Sequence, residues 1–456
     1  MKSNQLKLTF CGGVGQVTGA NFLLENDSVK ILIDCGLLQG VATANAFNSA
    51  SFVYNPADVH MLFVTHAHLD HVGRIAKLVR DGFRGVIYST PNTKDLAKLI
   101  MEDALSIMKR EMARDGREPM YDIADIEQAQ RLWKTIPYHT ATEIPGGLSV
   151  YFKDAGHILG SAIIEFSYGK KKIVFTGDLG NSPTPLLRDT EVITDADYLV
   201  MESVYGDRNH EPVGERKEKL ERIINESASR GGTLVIPAFS IERTQVILYE
   251  INSLVEAGKV PSVPVFVDSP LAIKVTDIYK TATEHFKAEV QKEISDGDDI
   301  FNFPKLQFTI NRESSEAIDR VPNPKIILAG AGMSNGGRIT HHEMRYLPDP
   351  KSTILFVGYQ SAGTLGREIQ SGVKNITIQG SKIKVRATID TIYGYSSHKD
   401  SDHLVEFVST TKDRVQKVFV VMGETKSALF LVQRLRDYLG VNAVHPELNE
   451  SVILDF

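Results

Sequence analysis

The sequence predicts an α/β protein of two domains, and three observations carry that expectation. The chain has 456 residues, more than one compact core ordinarily serves. Its first part reads as strands joined by tight turns, while its middle part alternates helix and strand, the signature of a parallel sheet. One early strand runs straight into "FVTHAHLDHVG", residues 63–73, where three histidines and an aspartate fall within six positions.

Taken in order, "LKLTFCGGVGQVTGANFLLENDSVKILIDCG" reads as three strands, separated by a Gly-rich loop and by a turn at Asn26 and Asp27. The next strand, "VHMLFVT", delivers the chain to the histidines. Helical periodicity follows over 72–80, over 94–114 with Leu96, Leu99, Ile100, Ala104 and Ile107 on one face, and over 123–135 with Trp133 as a core residue. Strands return at 148–152, 161–166, 171–176 and 197–201. From about 206, helix 214–229 precedes strand "TLVIPAF", helix 242–257 precedes strand "VPVFVD", and strand "KIILAG" comes later. From about 375 the chain returns to strand "KVRATI", strand "KVFVVM" and helix 424–438.

Composition narrows the class. A hydrophobic fraction of 42% with 24% charged residues belongs to an ordinary globular chain. No apolar run approaches the roughly 20 residues of a membrane helix. The start, "MKSNQLKLTF", lacks a secretory h-region. Cys11 and Cys35 give no disulfide framework, which fits a reducing cytoplasm, and both read as core residues. The net charge of −6 repels a polyanion, so such a partner needs a local basic or metal-lined groove.

His66 and His68 stand two apart at a strand end, so their side chains leave the same face. Asp70 and His71 fall where a helix should begin. Four ligand-type side chains on one strand-to-helix corner point to a metal. Nitrogen and carboxylate ligands without thiolates suit zinc best, with iron or manganese as alternatives. "DAGHILGSA" adds His157 and "VFTGDLG" adds Asp178, each in a glycine-flanked loop at a strand end. These divide into His66, His68 and His157 on one metal and Asp70 and His71 on another, with Asp178 able to bridge. Two such metals roughly 3.5–4 Å apart can turn a bridging water into hydroxide. Asp34, ending "ILIDCG", suits a role orienting a ligand imidazole through its other ring nitrogen.

With these residues in hand, "HAHLDH", Asp34, His157 and Asp178 resemble the metallo-β-lactamase fold. The remaining segments resemble its β-CASP nucleases. "MESVYGDR" looks like the first extra motif, with Glu202 as its acid, and "YGYSSHKDSD" like the second, with His398 as its histidine. "IPAFSIERTQ", "VDSPLAIK", "AGMSNGGRITHH" and "VGYQSAGTLGR" look like the inserted domain. The resemblance runs from about residue 6 to the C-terminus. It implies an αββα metallo-β-lactamase sandwich over 1–205 and 375–456, interrupted by a parallel α/β β-CASP domain over 206–374, with the active site in the cleft between them.

The chemistry stands beside the resemblance. A phosphodiester needs a nucleophile, charge neutralisation and a proton for the leaving oxygen. His398 can supply the proton if Glu202 keeps it protonated. "GMSNGGR" reads as a strand-to-helix turn whose amides, with Ser334 and Arg338, suit a phosphate, and equally as a plain tight turn. Arg243 can pair with a phosphate or hold a structural carboxylate. In one place the chain departs from the resemblance: where RNA-processing members usually have a ligand histidine, "KVFVVMGETKS" has Met422. A thioether suits zinc poorly, so the second of two zinc sites should bind more weakly, with manganese as an alternative ion. His403 is a candidate substitute ligand.

The expected function is a zinc-dependent nuclease acting on single-stranded RNA, with a metal-bridged hydroxide as nucleophile and His398 as general acid. DNA as substrate, a small ester or thioester substrate and a non-catalytic scaffold are the alternatives. The expected setting is the cytoplasm, away from membranes, with a homodimer left open.

Overall fold

The computed structural model describes residues 5–114, 116, 118–211, 213–361 and 363–456. The reading of the amino terminus as free of a leader falls partly on residues 1–4, outside the described residues.

The chain divides into two compact units. The first comprises residues 1–184, 188–209 and 398–456; the second comprises 185–187 and 210–397. The first unit is built on two seven-stranded sheets. In one, the strands run in the order Ser451–Asp455, Gln5–Gly12, Asn21–Glu25, Lys30–Ile33, Met61–Phe63, Val86–Ser89, Trp133–Thr135. In the other they run Ala443–Val444, Lys417–Val420, Tyr198–Met201, Lys171–Phe175, Ala162–Tyr168, Leu148–Asp154, Thr142–Ile144. The early hairpin forms because Asn26 Oδ1 accepts from the amides of both Ser28 and Val29, a side-chain turn that needs no further partner.

The sheets pack face to face. Phe10, Phe22 and Phe63 from one interleave with Phe166, Phe175 and Phe419 from the other, all buried. Edge-to-face ring pairs, such as Phe63 with Phe166 at 5.0 Å, fix the spacing. Helices cover the outer faces. Leu404 and Phe407 of helix Ser401–Ser409, with Leu431 and Leu435 of helix Thr425–Leu439, bury against Leu199, Val418 and Val420. Helices Pro91–Arg114 and Ile123–Leu132 lie on the first sheet. The architecture is therefore αββα, with a second α/β unit inserted.

Two elements differ from the sequence reading. Helix 123–135 stops at Leu132, and Trp133 opens a strand paired with Val86–Ser89, its indole N–H donating to Ser89 Oγ at 2.8 Å. Trp133 is core, but as a strand residue: the helical period was carried three residues too far. Helix 72–80 is two pieces, Leu69–Val72 and Ile75–Arg80.

The second unit holds a six-stranded sheet in the order Leu306–Phe308, Val265–Asp268, Lys325–Ala329, Thr233–Pro237, Thr353–Val357, Thr388–Ile392. Every pairing is parallel. Such strands read as unbroken apolar runs because helices bury both faces. The sequence placed the return to the first domain at about 375. In the structure the hairpin Asn375–Ile378 with Ser381–Lys384 buries Ile376 and Ile378 against Ile354 and Phe356, and Thr388–Ile392 joins the parallel sheet. The division accordingly falls after Ser397.

Candidate metal centre

Strand Met61–Phe63 pairs in parallel with Lys30–Ile33 on one side and Val86–Ser89 on the other, so its carboxyl end is fixed from both sides. His68 caps the short helix Leu69–Val72 that follows. His66 Nε2 lies 3.1 Å from His68 Nδ1, and His157 Nε2 lies 3.2 Å from the same atom. Asp178 Oδ2 stands 3.5 Å from His66 Nε2 and 3.6 Å from His157 Nε2. Ligands of a tetrahedral ion with bonds of 2.0–2.1 Å stand about 3.3 Å apart, close to these four separations. Burial lowers the pKa values of His66, His68 and His157, which keeps the imidazoles neutral and able to donate a lone pair.

His71 Nε2 lies 3.4 Å from Asp178 Oδ1 and 3.8 Å from Asp70 Oδ2. Asp178 thus turns one oxygen to each group. On its other side His71 Nδ1 meets Asp34 Oδ2 at 2.7 Å, which sets the tautomer and aims Nε2 at Asp178. Asp34 is itself held by Thr65, whose amide and hydroxyl each donate to it at 2.8 Å. Among the described residues, His71 Nε2 and Asp178 Oδ1 are buried without a hydrogen-bond partner. Orphaned polar atoms that face each other are costly unless a cation lies between them. Burial pulls the His71 pKa down, but the charges of Asp178, Asp34 and Asp70 outweigh it and hold it well above the usual imidazole range. Burial pushes Asp178 up, and His71 and His66 outweigh that and hold it well below the carboxylate range. These nitrogen and carboxylate donors fit a divalent metal.

Glu202 follows strand Tyr198–Met201, and its Oε1 accepts from the Leu179 amide at 2.6 Å. His398 Nδ1 lies 3.2 Å from Glu202 Oε2 and 3.9 Å from Asp178 Oδ2. Burial lowers the His398 pKa, but the charge and hydrogen bond of Glu202, with Asp178 and Asp70 beyond, raise it to about 9. Asp178 is thereby common to three ligand-type groups: with His66, His68 and His157; with Asp70 and His71; and with Glu202 and His398.

The other singled-out residues lie elsewhere. Met422 is 3% exposed, in a left-handed conformation (φ 46°), and its sulfur packs so close to Gly13 that a Cβ there would stand 2.5 Å from it. His403 sits on helix Ser401–Ser409, its Nδ1 2.7 Å from Asp400 Oδ1, and belongs to none of the three groups. Arg243, Ser334 and Arg338 are in the second unit. Arg243 donates to the Val357 carbonyl and, at 3.2 Å, to Ser397 Oγ. Ser334 is fully buried and hydrogen-bonds Glu343. Arg338 pairs with Asp268 at 2.7 Å and donates to the carbonyls of Thr309 and Ile310. All three hold loops of their own unit. Sequence reasoning missed Thr65 and the Leu179 amide, which position Asp34 and Glu202. Thr65 carried a signal, adjacency to His66; a backbone amide carries none.

Comparison with known proteins agrees with this construction. Residues 23–203 match the metallo-beta-lactamase superfamily domain, 244–369 the Beta-Casp domain, and 382–446 the Zn-dependent metallo-hydrolase RNA specificity domain. The chain is 36% identical over 420 residues to "Ribonuclease TTHA0252" of Thermus thermophilus, covering 92% of this chain and 94% of that one. It is 32% identical to "Transcription termination factor FttA" of Methanosarcina mazei, over 96% of this chain and 70% of the relative. A crystal structure of a protein of unknown function from Enterococcus faecalis V583 shares the fold, with TM-score 0.58, 13% identity and coverage of 99% and 100%. Fold and site together define a metal-dependent hydrolase. The chain belongs to the β-CASP family of the metallo-β-lactamase superfamily.

Proposed function

We propose that the chain is a zinc-dependent ribonuclease that hydrolyses phosphodiester bonds of single-stranded RNA and leaves a 5′-phosphate. The observation that carries this reading is the sharing of Asp178 among the three groups. His66, His68 and His157 would hold one ion, Asp70 and His71 a second, and Asp178 would lie between them. Ions in such a site supply Lewis-acid charge and a nucleophile at neutral pH. Manganese is the alternative ion.

His398 commits Nδ1 to Glu202. Its Nε2 is then the nitrogen that gives a proton to the departing 3′-oxygen, and the phosphate stays on the downstream fragment as its 5′-phosphate. Glu202 keeps that proton in place before the reaction. Arg338, partly exposed in the second unit, is the proposed phosphate contact. The match to an RNA specificity domain and the relative named a ribonuclease favour RNA over DNA.

The test is direct. Purified protein with its metal quantified is incubated with labelled single-stranded RNA, DNA and a chromogenic ester. Cleavage of RNA to 5′-phosphate products is expected, with DNA and ester intact. Ester hydrolysis with RNA intact would overturn the reading.

A further inference from the structure

Thr65 stands between strand Met61–Phe63 and His66 and is 1% exposed. Its backbone is fixed on both sides. The amide donates to Asp34 Oδ1 at 2.8 Å, and the carbonyl accepts from the Ala162 amide at 2.8 Å. The side chain is confined as well. A Cβ on Gly177 would stand 2.7 Å from Thr65 Cβ, 2.8 Å from Oγ1 and 3.1 Å from Cγ2, so the glycine makes room for this branched side chain.

The hydroxyl has more neighbours than its one proton can serve. Thr65 Oγ1 lies 2.8 Å from Asp34 Oδ2, 3.1 Å from His66 Nδ1 and 3.3 Å from His71 Nδ1. A carboxylate oxygen only accepts, so the hydroxyl proton goes to Asp34. His71 Nδ1 gives its own proton to that same oxygen, at 2.7 Å. What remains on Oγ1 is a lone pair, and His66 Nδ1 is the nitrogen left to donate to it. His66 is fully buried, and among the described residues its Nδ1 has no other hydrogen-bond partner.

A proton on Nδ1 leaves Nε2 as the lone-pair nitrogen of the ring. Nε2 is the atom that faces His68 Nδ1 and Asp178 Oδ2 in the first ligand group. One carboxylate therefore serves an imidazole in each group. Asp34 reaches His71, of the second group, directly, and reaches His66, of the first, through the Thr65 hydroxyl. Without that hydroxyl, an Nδ1–H on His66 would be a buried donor with nothing to meet, and the ring would have no cause to keep its proton there.

We propose that Thr65 is a positioning residue of the first metal site: its hydroxyl, held by Asp34, fixes His66 as the Nδ1–H tautomer and so keeps Nε2 free for the ion. The proposal rests on the metal-centre reading given under the proposed function and adds to it the group that orients His66.

Two variants separate the hydroxyl from the shape of the side chain. Thr65→Val keeps the branched form beside Gly177 and removes the hydrogen bond; Thr65→Ser keeps the hydroxyl and removes the methyl. The full chain, with isotope-labelled histidines, is stripped of metal and checked for folding by circular dichroism. The His66 ring resonances, assigned by their loss in His66→Gln, report the tautomer. They are then followed as zinc is added in competition with a chelator. In the metal-free parent and in Thr65→Ser the His66 proton should sit on Nδ1, and in Thr65→Val that preference should be lost. Thr65→Val should lose about 10–100-fold in zinc affinity at His66, the usual cost of removing a group that orients a metal-binding histidine. Thr65→Ser should bind as the parent does. An Nε2–H tautomer in the metal-free parent, or equal zinc affinity in Thr65→Val and the parent, overturns the part given to Thr65. An equal loss in Thr65→Ser assigns the effect to packing and overturns it too. A parent that shows the Nδ1–H tautomer and takes up no zinc overturns the metal-centre reading and the proposal with it, a result the tautomer tells apart from failure of Thr65 alone.

Discussion

Asp178 reaches every proposed ligand group with a single carboxylate, so single-residue changes should separate the groups. His68→Ala removes the atom that both His66 and His157 approach. It should strip the first ion while leaving the core folded, as elemental analysis beside circular dichroism will show; full nuclease activity from a metal-free variant would sink the mechanism. His398→Ala should lower turnover by about 10²–10⁴-fold with metal retained, the range for loss of a general acid. Loss of metal along with the side chain would make His398 a ligand instead. Met422→His should raise metal content and resistance to dialysis against a mild chelator, modestly, because the sulfur now packs against Gly13 and a new imidazole must find its own orienting partner. At this scale the sequence was informative where ligands cluster: His66, His68, Asp70 and His71 are neighbours in the chain. It was silent on the Leu179 amide, whose part depends on which distant side chain it meets.

Secondary-structure elements matter here mainly for how they end. Strand Lys171–Phe175 reaches Asp178 through Gly177, which has φ 54° and where a Cβ would stand 2.7 Å from that of Thr65. Gly177→Ala should therefore push on the residue that holds Asp34. A loss of about 1–3 kcal/mol in stability is expected, with weaker metal binding, measured by denaturant titration and zinc titration. In the second unit, helix Ile339–Tyr346 carries Glu343, whose pKa burial raises from 4.5 to about 8. The folded state thus holds this proton more tightly than the unfolded chain. Its contribution is fully present below about pH 4.5 and fades as pH rises through about 8. Glu343→Gln should flatten that decline and gain roughly 2–4 kcal/mol over the parent at pH 9. A decline unchanged in the variant assigns it to other groups. The apolar strands of both units were legible because the two-residue period or an unbroken run marks them. The start of strand Trp133–Thr135 was not, since three residues beside a helix carry no period of their own.

Across the whole molecule, the interrupted order of the chain was legible from its change of rhythm, while the point of return was not. Residues 375–397 look like strands of either unit, and only their partners, Ile354 and Phe356 among them, decide. One pairing bears on how the protein is made. Strand Ser451–Asp455 lies beside Gln5–Gly12, with Leu6 opposite Leu454. A ribosome releases these partners far apart in time. The first sheet therefore gains its outermost strand late, with Phe10 and Phe22 long emerged. Residues 210–397, nearly continuous in sequence, can settle first. During that interval one edge of Gln5–Gly12 stands unpaired, and a cell making this protein faster than it can shield that edge should find it in aggregates rather than in the folded pool.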